Sequence, residues 1–160
     1  MILAAALLLA PALSAILTPA VRPREPMTEP TSPLAKQLDS ATRGLLFLSE
    51  TDAPLVPFVN PPRPGSLAVA ARRITGRTTR DRFHEVAFED FFRPLTESHE
   101  WDGAEERTAI RRFKRLEKLL SEELTDIHVF KIGSVEIDVI VIGRSRQGEI
   151  AGFHTRALET

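Results

Sequence analysis

Few residues in this 160-residue sequence have the types and spacing that catalysis or metal binding requires. Four histidines are present, but none shows the close His–His or His–Glu spacing of a metal site. Cysteine is absent, which excludes disulfides, zinc–thiolate sites and thiol nucleophiles. Neither a glycine-rich phosphate loop nor a nucleophile elbow occurs. The sequence therefore predicts a protein that is not an enzyme and carries no cofactor.

The spacing of one pair of carboxylates has two possible interpretations. Glu136 and Asp138 are two residues apart in a segment with strand-like alternation, so their side chains share one face. They could act together on a metal ion or in acid–base chemistry. The alternative, an exposed polar face of an antiparallel sheet, is the more common use of such a pair.

A second candidate is the basic segment from Arg63 to Arg82, which holds six arginines and one acidic residue, Asp81. It suggests a nucleic-acid interface built on Arg72, Arg73, Arg77, Arg80 and Arg82. The alternative is a solvated loop, favoured because no aromatic residue interleaves the arginines as a stacking platform. The net charge of -1 provides no overall positive field. No stable nucleic-acid binding is therefore expected.

Composition indicates one ordinary globular domain, with 42% apolar and 27% charged residues. Residues 1–21 form an apolar segment, residues 22–32 a proline-rich disordered linker, and residues 33–160 the domain. The apolar segment resembles a signal peptide without a charged start, which would make the protein exported or periplasmic. The alternative is a misplaced start, with translation from Met27 and a cytoplasmic protein. Membrane association is expected only if residues 1–21 are retained.

The domain begins with helical patterns separated by breaks. A helix that begins at Ser32-Pro33 is expected to stop at Gly44, and residues 45–48 are expected to form a short buried strand or extended segment. Five prolines between Pro54 and Pro64 predict the absence of regular structure there. A short helix is predicted over residues 85–92, stopping before Pro94, with its phenylalanines in the core. A long helix is predicted from Asp102 to Asp126.

In the last third of the chain, the spacing of apolar residues changes from the helical period to the two-residue period of a β-strand. Apolar and polar residues alternate over 127–132 and 135–142, around a Gly133-Ser134 turn, which predicts a hairpin. A second turn over 143–148 and a third strand over 150–155 extend it into an antiparallel meander. Helices followed by an antiparallel sheet define an α+β fold.

Several spaced blocks of the sequence resemble one known family. The first is the run Gly44-Leu45-Leu46-Phe47-Leu48-Ser49-Glu50-Thr51-Asp52-Ala53-Pro54. Further blocks, in the same order, are Phe91-Phe92, Leu124-Thr125-Asp126, Val129-Phe130-Lys131-Ile132-Gly133, and a closing pattern of Gly148, Gly152, Thr155, Glu159 and Thr160. Together they are similar to the nuclease A inhibitor-like (NuiA-like) family over about residues 33–160. Departures from the family pattern are the N-terminal extension, the Pro/Arg-rich segment 57–82, and Thr51 in place of the usual Ser.

The resemblance implies a three-layer α/β/α sandwich with a mainly antiparallel sheet, of the PR-1-like kind. It also implies a protein inhibitor of a sugar-nonspecific, Mg-dependent DNA/RNA nuclease of the ββα-metal type. The alternatives are an interaction module that does not inhibit a nuclease, or a nucleic-acid binder acting through the arginine segment.

The resemblance further assigns partner-binding residues. Thr160 and Glu50 are implied to approach the magnesium ion of the nuclease, with Ser49, Asp52 and Glu159 beside them. The chemistry is consistent, because Mg²⁺ prefers oxygen ligands and keeps several waters. A terminal Thr offers a hydroxyl and a carboxylate, and Glu50 adds a second carboxylate. No metal site of the chain's own is implied.

Overall fold

The computed structural model describes residues 32–158, which form an antiparallel sheet with helices on both faces. The five strands of this sheet are ordered β3-β7-β6-β5-β4. Their bounds are β3 Val56–Asn60, β4 Phe83–Val86, β5 Leu124–Ile132, β6 Glu136–Ser145 and β7 Ile150–Leu158. A separate two-stranded ribbon pairs β1 Leu46–Phe47 with β2 Ala53–Pro54. The expected α+β class is confirmed, and so is the β5-β6-β7 meander.

Four helices cover the sheet. Their bounds are α1 Pro33–Thr42, α2 Leu67–Thr75, α3 Phe88–Thr96 and α4 Ala104–Glu123. Gly44 follows α1 with a φ of 70°, the left-handed conformation that ends a helix. Within residues 32–158, no helix is long and apolar enough to cross a membrane.

Alternating strand residues supply two separate cores, one on each face of the sheet. On one face, α1, α3 and α4 pack on residues that include Val139, Val141 and Phe153. On the other face, α2 packs on residues that include Ile140 and Ile142. Because successive residues of β6 enter opposite cores, this strand is apolar on both sides over most of its length. The described residues therefore form three layers, with helices, sheet and helix in that order.

The prediction that prolines exclude regular structure between 54 and 64 was wrong. Pro54 lies in β2 and Pro57 in β3. β3 is at the edge of the sheet, paired only with β7. An edge strand tolerates proline because one side of its backbone has no ladder partner for an N–H group.

The predicted helix over 85–92 was misplaced. Glu85 and Val86 belong to β4, which pairs with β5, and the helix α3 begins at Phe88 and continues past Pro94 to Thr96. The buried role of its phenylalanines is confirmed, since Phe91 and Phe92 are buried and pack around Phe153. α4 also ends three residues earlier than predicted, because β5 begins directly at Leu124.

Candidate functional site

The loop between β1 and β2, residues 48–52, is held in a tight polar turn by Ser49. The Ser49 hydroxyl donates a hydrogen bond to the carbonyl of Thr51 at 2.8 Å, and it accepts one from the Thr51 amide at 3.4 Å. The side chains of Glu50 and Asp52 are exposed on this turn. The expected buried strand over 45–48 is present only in part, because Leu45 is buried while Leu46 and Leu48 are 44% and 68% exposed. The loop thus presents two carboxylates beside apolar side chains.

This loop lies against the end of the last strand of the sheet. The amide of Leu158 in β7 donates to the Ser49 hydroxyl at 3.4 Å. Nearby, the hydroxyl of Thr155 donates to the carbonyl of Pro54 at 3.0 Å, which ties β2 to β7. Residues more than one hundred positions apart are therefore joined at one end of the molecule, the end where β7 finishes.

Glu159 and Thr160, two of the predicted partner-binding residues, lie outside the described residues. Among the described residues, Leu158 at the end of β7 contacts Ser49.

Trp101, which the sequence did not indicate as a surface residue, is 81% exposed in the loop 97–103 between α3 and α4. Its ring stacks on His99 with centroids 4.8 Å apart. The loop is fixed by Asp102, whose carboxylate accepts the His99 amide at 2.6 Å and whose carbonyl accepts Arg107 at 2.6 Å. An isolated Trp flanked by Glu100 and Asp102 was the available signal. Exposure is what separates such a Trp from a core residue, and the sequence does not report it.

α4, which follows the 97–103 loop, contacts the segment that leads into β1. α4 spans about 30 Å and runs back over the sheet, since β5 begins at the residue after its end. Arg112, in the first half of α4, donates to the carbonyl of Arg43, just before β1. The first half of α4 therefore lies beside the residues that lead into β1 and the Ser49 turn.

Two of the five arginines in the predicted nucleic-acid interface have contacts within the fold. Arg72 lies over the ring of Phe83, 4.4 Å from its centroid. Arg77 pairs with Asp138 at 2.5 Å and donates to the carbonyl of Glu136 at 2.8 Å. Arg73, Arg80 and Arg82 are exposed. The segment therefore contains both packing arginines and surface arginines.

Neither interpretation of the carboxylate pair holds for Asp138. Its side chain is only 4% exposed, and it pairs with Arg77 at 2.5 Å and with Arg156 at 3.4 Å. It is therefore not part of an exposed polar face, unlike Glu136. Within residues 32–158, no group of three or more His, Asp or Glu side chains is arranged to hold a metal ion. Asp138 instead holds the segment after α2 against β6 and β7.

His128 lies between two carboxylates. Its Nδ1 is 2.5 Å from Glu85 in β4, and its Nε2 is 2.9 Å from Asp126, which adopts a φ of 51° at a bulge in β5. The ring also stacks on Phe130. The hydrogen bond with Glu85 raises the pKa of His128 above its usual 6.5, and Asp126 adds to this against the opposing effect of burial. His154 shows the opposite behaviour, since burial lowers its pKa.

The raised pKa of His128 predicts a pH-dependent contribution to stability. Because the folded-state pKa exceeds the ordinary value, this contribution is fully present below about pH 6.5 and is lost as the pH rises through the raised pKa. Between pH 6 and pH 9, the melting temperature of the wild type should fall toward that of His128→Gln. Thermal melts of both proteins, with His99→Gln as control, measure this. A constant difference between wild type and His128→Gln across that range would contradict it.

The described residues thus present a carboxylate-bearing turn against the end of the last strand, and an exposed Trp in the loop before α4. A family model described as nuclease A inhibitor-like protein matches residues 32–160. This covers most of the chain, so the chain belongs to the nuclease A inhibitor-like family. Among curated proteins, none matches it. Membership of this inhibitor family implies a nuclease as the protein partner.

Proposed function

We propose that this protein inhibits a sugar-nonspecific, Mg-dependent DNA/RNA nuclease of the ββα-metal type by occupying its active site. Thr160 and Glu50 deliver oxygen atoms toward the magnesium ion of the nuclease, and Ser49, Asp52 and Glu159 form the surrounding contact. The protein binds without itself turning over substrate.

The observation that supports this proposal is the contact between Ser49 and Leu158. It joins the loop that carries Glu50 to Leu158, the last described residue of β7. The Ser49–Thr51 hydrogen bond stabilises the loop internally. The hydrogen bond from Thr155 to the carbonyl of Pro54 holds the strand that follows the loop. A braced loop loses little conformational freedom on binding, which favours affinity.

The chemistry of the two residues suits a nuclease active site. Such a site binds phosphate oxygens around Mg²⁺, an ion that coordinates oxygen and retains water. Carboxylate and hydroxyl oxygens replace those of the phosphate without offering a bond that the enzyme can cleave. Trp101 adds a large exposed aromatic surface of the kind that often carries binding energy.

The direct test is inhibition of a purified Mg-dependent nonspecific nuclease from the same cell. Cleavage of DNA and of RNA should both stop at a one-to-one ratio of inhibitor to enzyme. The inhibitor alone should leave both substrates intact. Full cleavage with inhibitor well in excess of the nuclease would overturn the proposal.

Removing the charge of Glu50 should weaken nuclease binding while leaving the fold unchanged. In Glu50→Gln the side chain keeps its shape but loses the charge that faces the metal, so we expect a loss of about tenfold or more in affinity. Isothermal titration calorimetry with the Mg²⁺-loaded nuclease measures it. Glu122→Gln, an exposed substitution near the far end of α4, is the matched control and should bind normally. Equal affinities of the two variants would remove Glu50 from the contact.

Truncating Trp101 should also weaken binding. A Trp side chain that is buried on binding contributes about 1–2 kcal/mol or more, which corresponds to an affinity loss of about tenfold or more. The melting temperature of Trp101→Ala should change little, because the side chain is 81% exposed. Val69→Ala, an exposed apolar position on α2, serves as control. Normal binding by Trp101→Ala would show that the 97–103 loop lies outside the interface.

A further inference from the structure

The turn that carries Glu50 is bordered by exposed apolar side chains of the β1–β2 ribbon. These are Leu46, Leu48 and Pro54, which we call the ribbon patch. We propose that the ribbon patch is a hydrophobic contact for the partner nuclease, directly beside the point where Glu50 approaches the metal ion. The inference rests on the proposed function and extends it, because it requires an apolar surface on the nuclease next to its metal site.

The exposure of the two leucines has no structural purpose within the described residues. The ring of Phe47, which lies between them, enters the core and stacks on Phe91 with centroids 5.8 Å apart. Leu46 and Leu48 are instead 44% and 68% exposed, and neither contributes to the two cores of the described residues. The fold therefore does not require an apolar side chain at either position.

The ribbon patch is held in place and continues to the carboxylates of the turn. Leu46 is directly opposite Pro54 in the register of the ribbon, so their side chains share one face. The hydroxyl of Thr155 donates to the carbonyl of Pro54 at 3.0 Å, which ties the ribbon to β7. Glu50 follows Leu48 by two residues, which span at most about 7 Å. A nuclease surface that meets Glu50 therefore lies close enough to contact Leu48.

The charges beside the ribbon patch favour a nuclease over a second copy of this chain. Glu50 and Asp52 are both exposed there. Two copies bound patch to patch would bring four carboxylates to one small contact, and like charges in an interface are unfavourable. A surface that binds nucleic acid is positively charged and complements these carboxylates.

The small size of the ribbon patch also argues against a dimer. A stable interface buries about 800 Å² on each partner, which three side chains cannot supply by themselves. Beside contacts to a metal ion, however, a few apolar side chains exclude water and add affinity.

The experiment measures binding of the full chain to the Mg²⁺-loaded nuclease by isothermal titration calorimetry. Leu48→Ser should raise the dissociation constant about tenfold, because an apolar side chain is no longer removed from water on binding. Leu48→Met keeps an apolar side chain of similar size and should stay within about threefold of the wild type. Val69→Ser, at a position on α2 that is 56% exposed, is the matched control and should bind within about twofold.

Two further measurements separate an apolar contact from a structural effect. The heat-capacity change of binding should be less negative for Leu48→Ser than for the wild type, because burial of apolar surface makes this quantity negative. The melting temperature of Leu48→Ser should match that of the wild type, since the side chain is 68% exposed.

The outcomes distinguish this inference from the proposed function. If the wild type does not bind the nuclease, the proposed function fails and the inference fails with it. If the wild type binds, normal binding by Leu48→Ser, or equal weakening by Leu48→Ser and Val69→Ser, overturns the inference alone. Sedimentation of the free protein tests the other occupant. A wild-type dimer that Leu48→Ser dissociates would also overturn the inference, because the ribbon patch would then bind a second copy.

Discussion

Deleting Thr160 is expected to cost this inhibitor at least about 2 kcal/mol of nuclease binding, or about thirtyfold in affinity, with no loss of fold stability. The deletion removes a hydroxyl and moves the terminal carboxylate one residue back along the chain. Contacts directed at a metal ion in a desolvated site are the kind that dominate an interface. We expect the melting temperature to stay constant, because the terminal residues of most domains contribute little to the core.

Adding residues after Thr160 tests the same mechanism in the opposite direction. A two-residue Gly-Ser extension retains the hydroxyl of Thr160 but displaces the carboxylate and places extra atoms at the metal. Binding should weaken as much as in the deletion. The same two residues added at the N-terminus are the control.

Affinity and melting temperature must be measured together for these variants. Unchanged affinity on deletion of Thr160 would show that the protein binds the nuclease through another surface, such as the 97–103 loop or the arginine segment. Lost affinity with a large fall in melting temperature would show that the terminus is structural. Only lost affinity at constant melting temperature supports the active-site mechanism.

The fold was most predictable where short-range periodicity determines it. The β5-β6-β7 meander follows from alternation that is visible within ten residues, and the turns follow from Gly133 and Gly148. The errors arose where a distant partner decides the outcome. Glu85 and Val86 form a strand because their backbone groups pair with those of β5. Pro57 lies in a strand because that strand is at the edge of the sheet.

The candidate site also has one part that the sequence predicts and another that only the tertiary structure shows. The Ser49–Asp52 loop and Thr160 were assigned through family resemblance, whereas the hydrogen bond that joins the loop to Leu158 spans 109 residues and has no local signature. The burial of Asp138 likewise depends on Arg77, which arrives from the segment after α2. A polar residue in a strand with alternating apolar residues is normally expected to be exposed. Only a partner that is distant in the sequence, such as Arg77 for Asp138, shows that it is buried.

The β6–β7 pairing that carries the chain toward Thr160 depends on Gly152. This residue is buried and has a φ of 154°, in a region that side chains rarely adopt. A Cβ atom at this position would lie 1.9 Å from the carbonyl oxygen of Val141 and 2.8 Å from its carbonyl carbon. Both atoms belong to the backbone of the neighbouring central strand, so no side-chain rotation relieves the overlap.

Gly152→Ala is therefore expected to destabilise the domain by about 4 kcal/mol or to prevent its folding, since overpacking and backbone strain add. Gly148→Ala is the matched control. Gly148 also has a positive φ, of 81°, but an added Cβ would contact only the Pro62 side chain at 3.6 Å. Its expected cost is about 1 kcal/mol from strain alone.

Urea unfolding of the two variants separates clash from strain. A much lower midpoint for Gly152→Ala than for Gly148→Ala shows that the close approach of β6 and β7 is what excludes a side chain. Equal midpoints would mean that the strands move apart at little cost and that the approach is not essential. Gly152→Ala should lose nuclease binding together with the fold, because Gly152 allows β7 to approach β6, whereas deletion of Thr160 should lose binding alone.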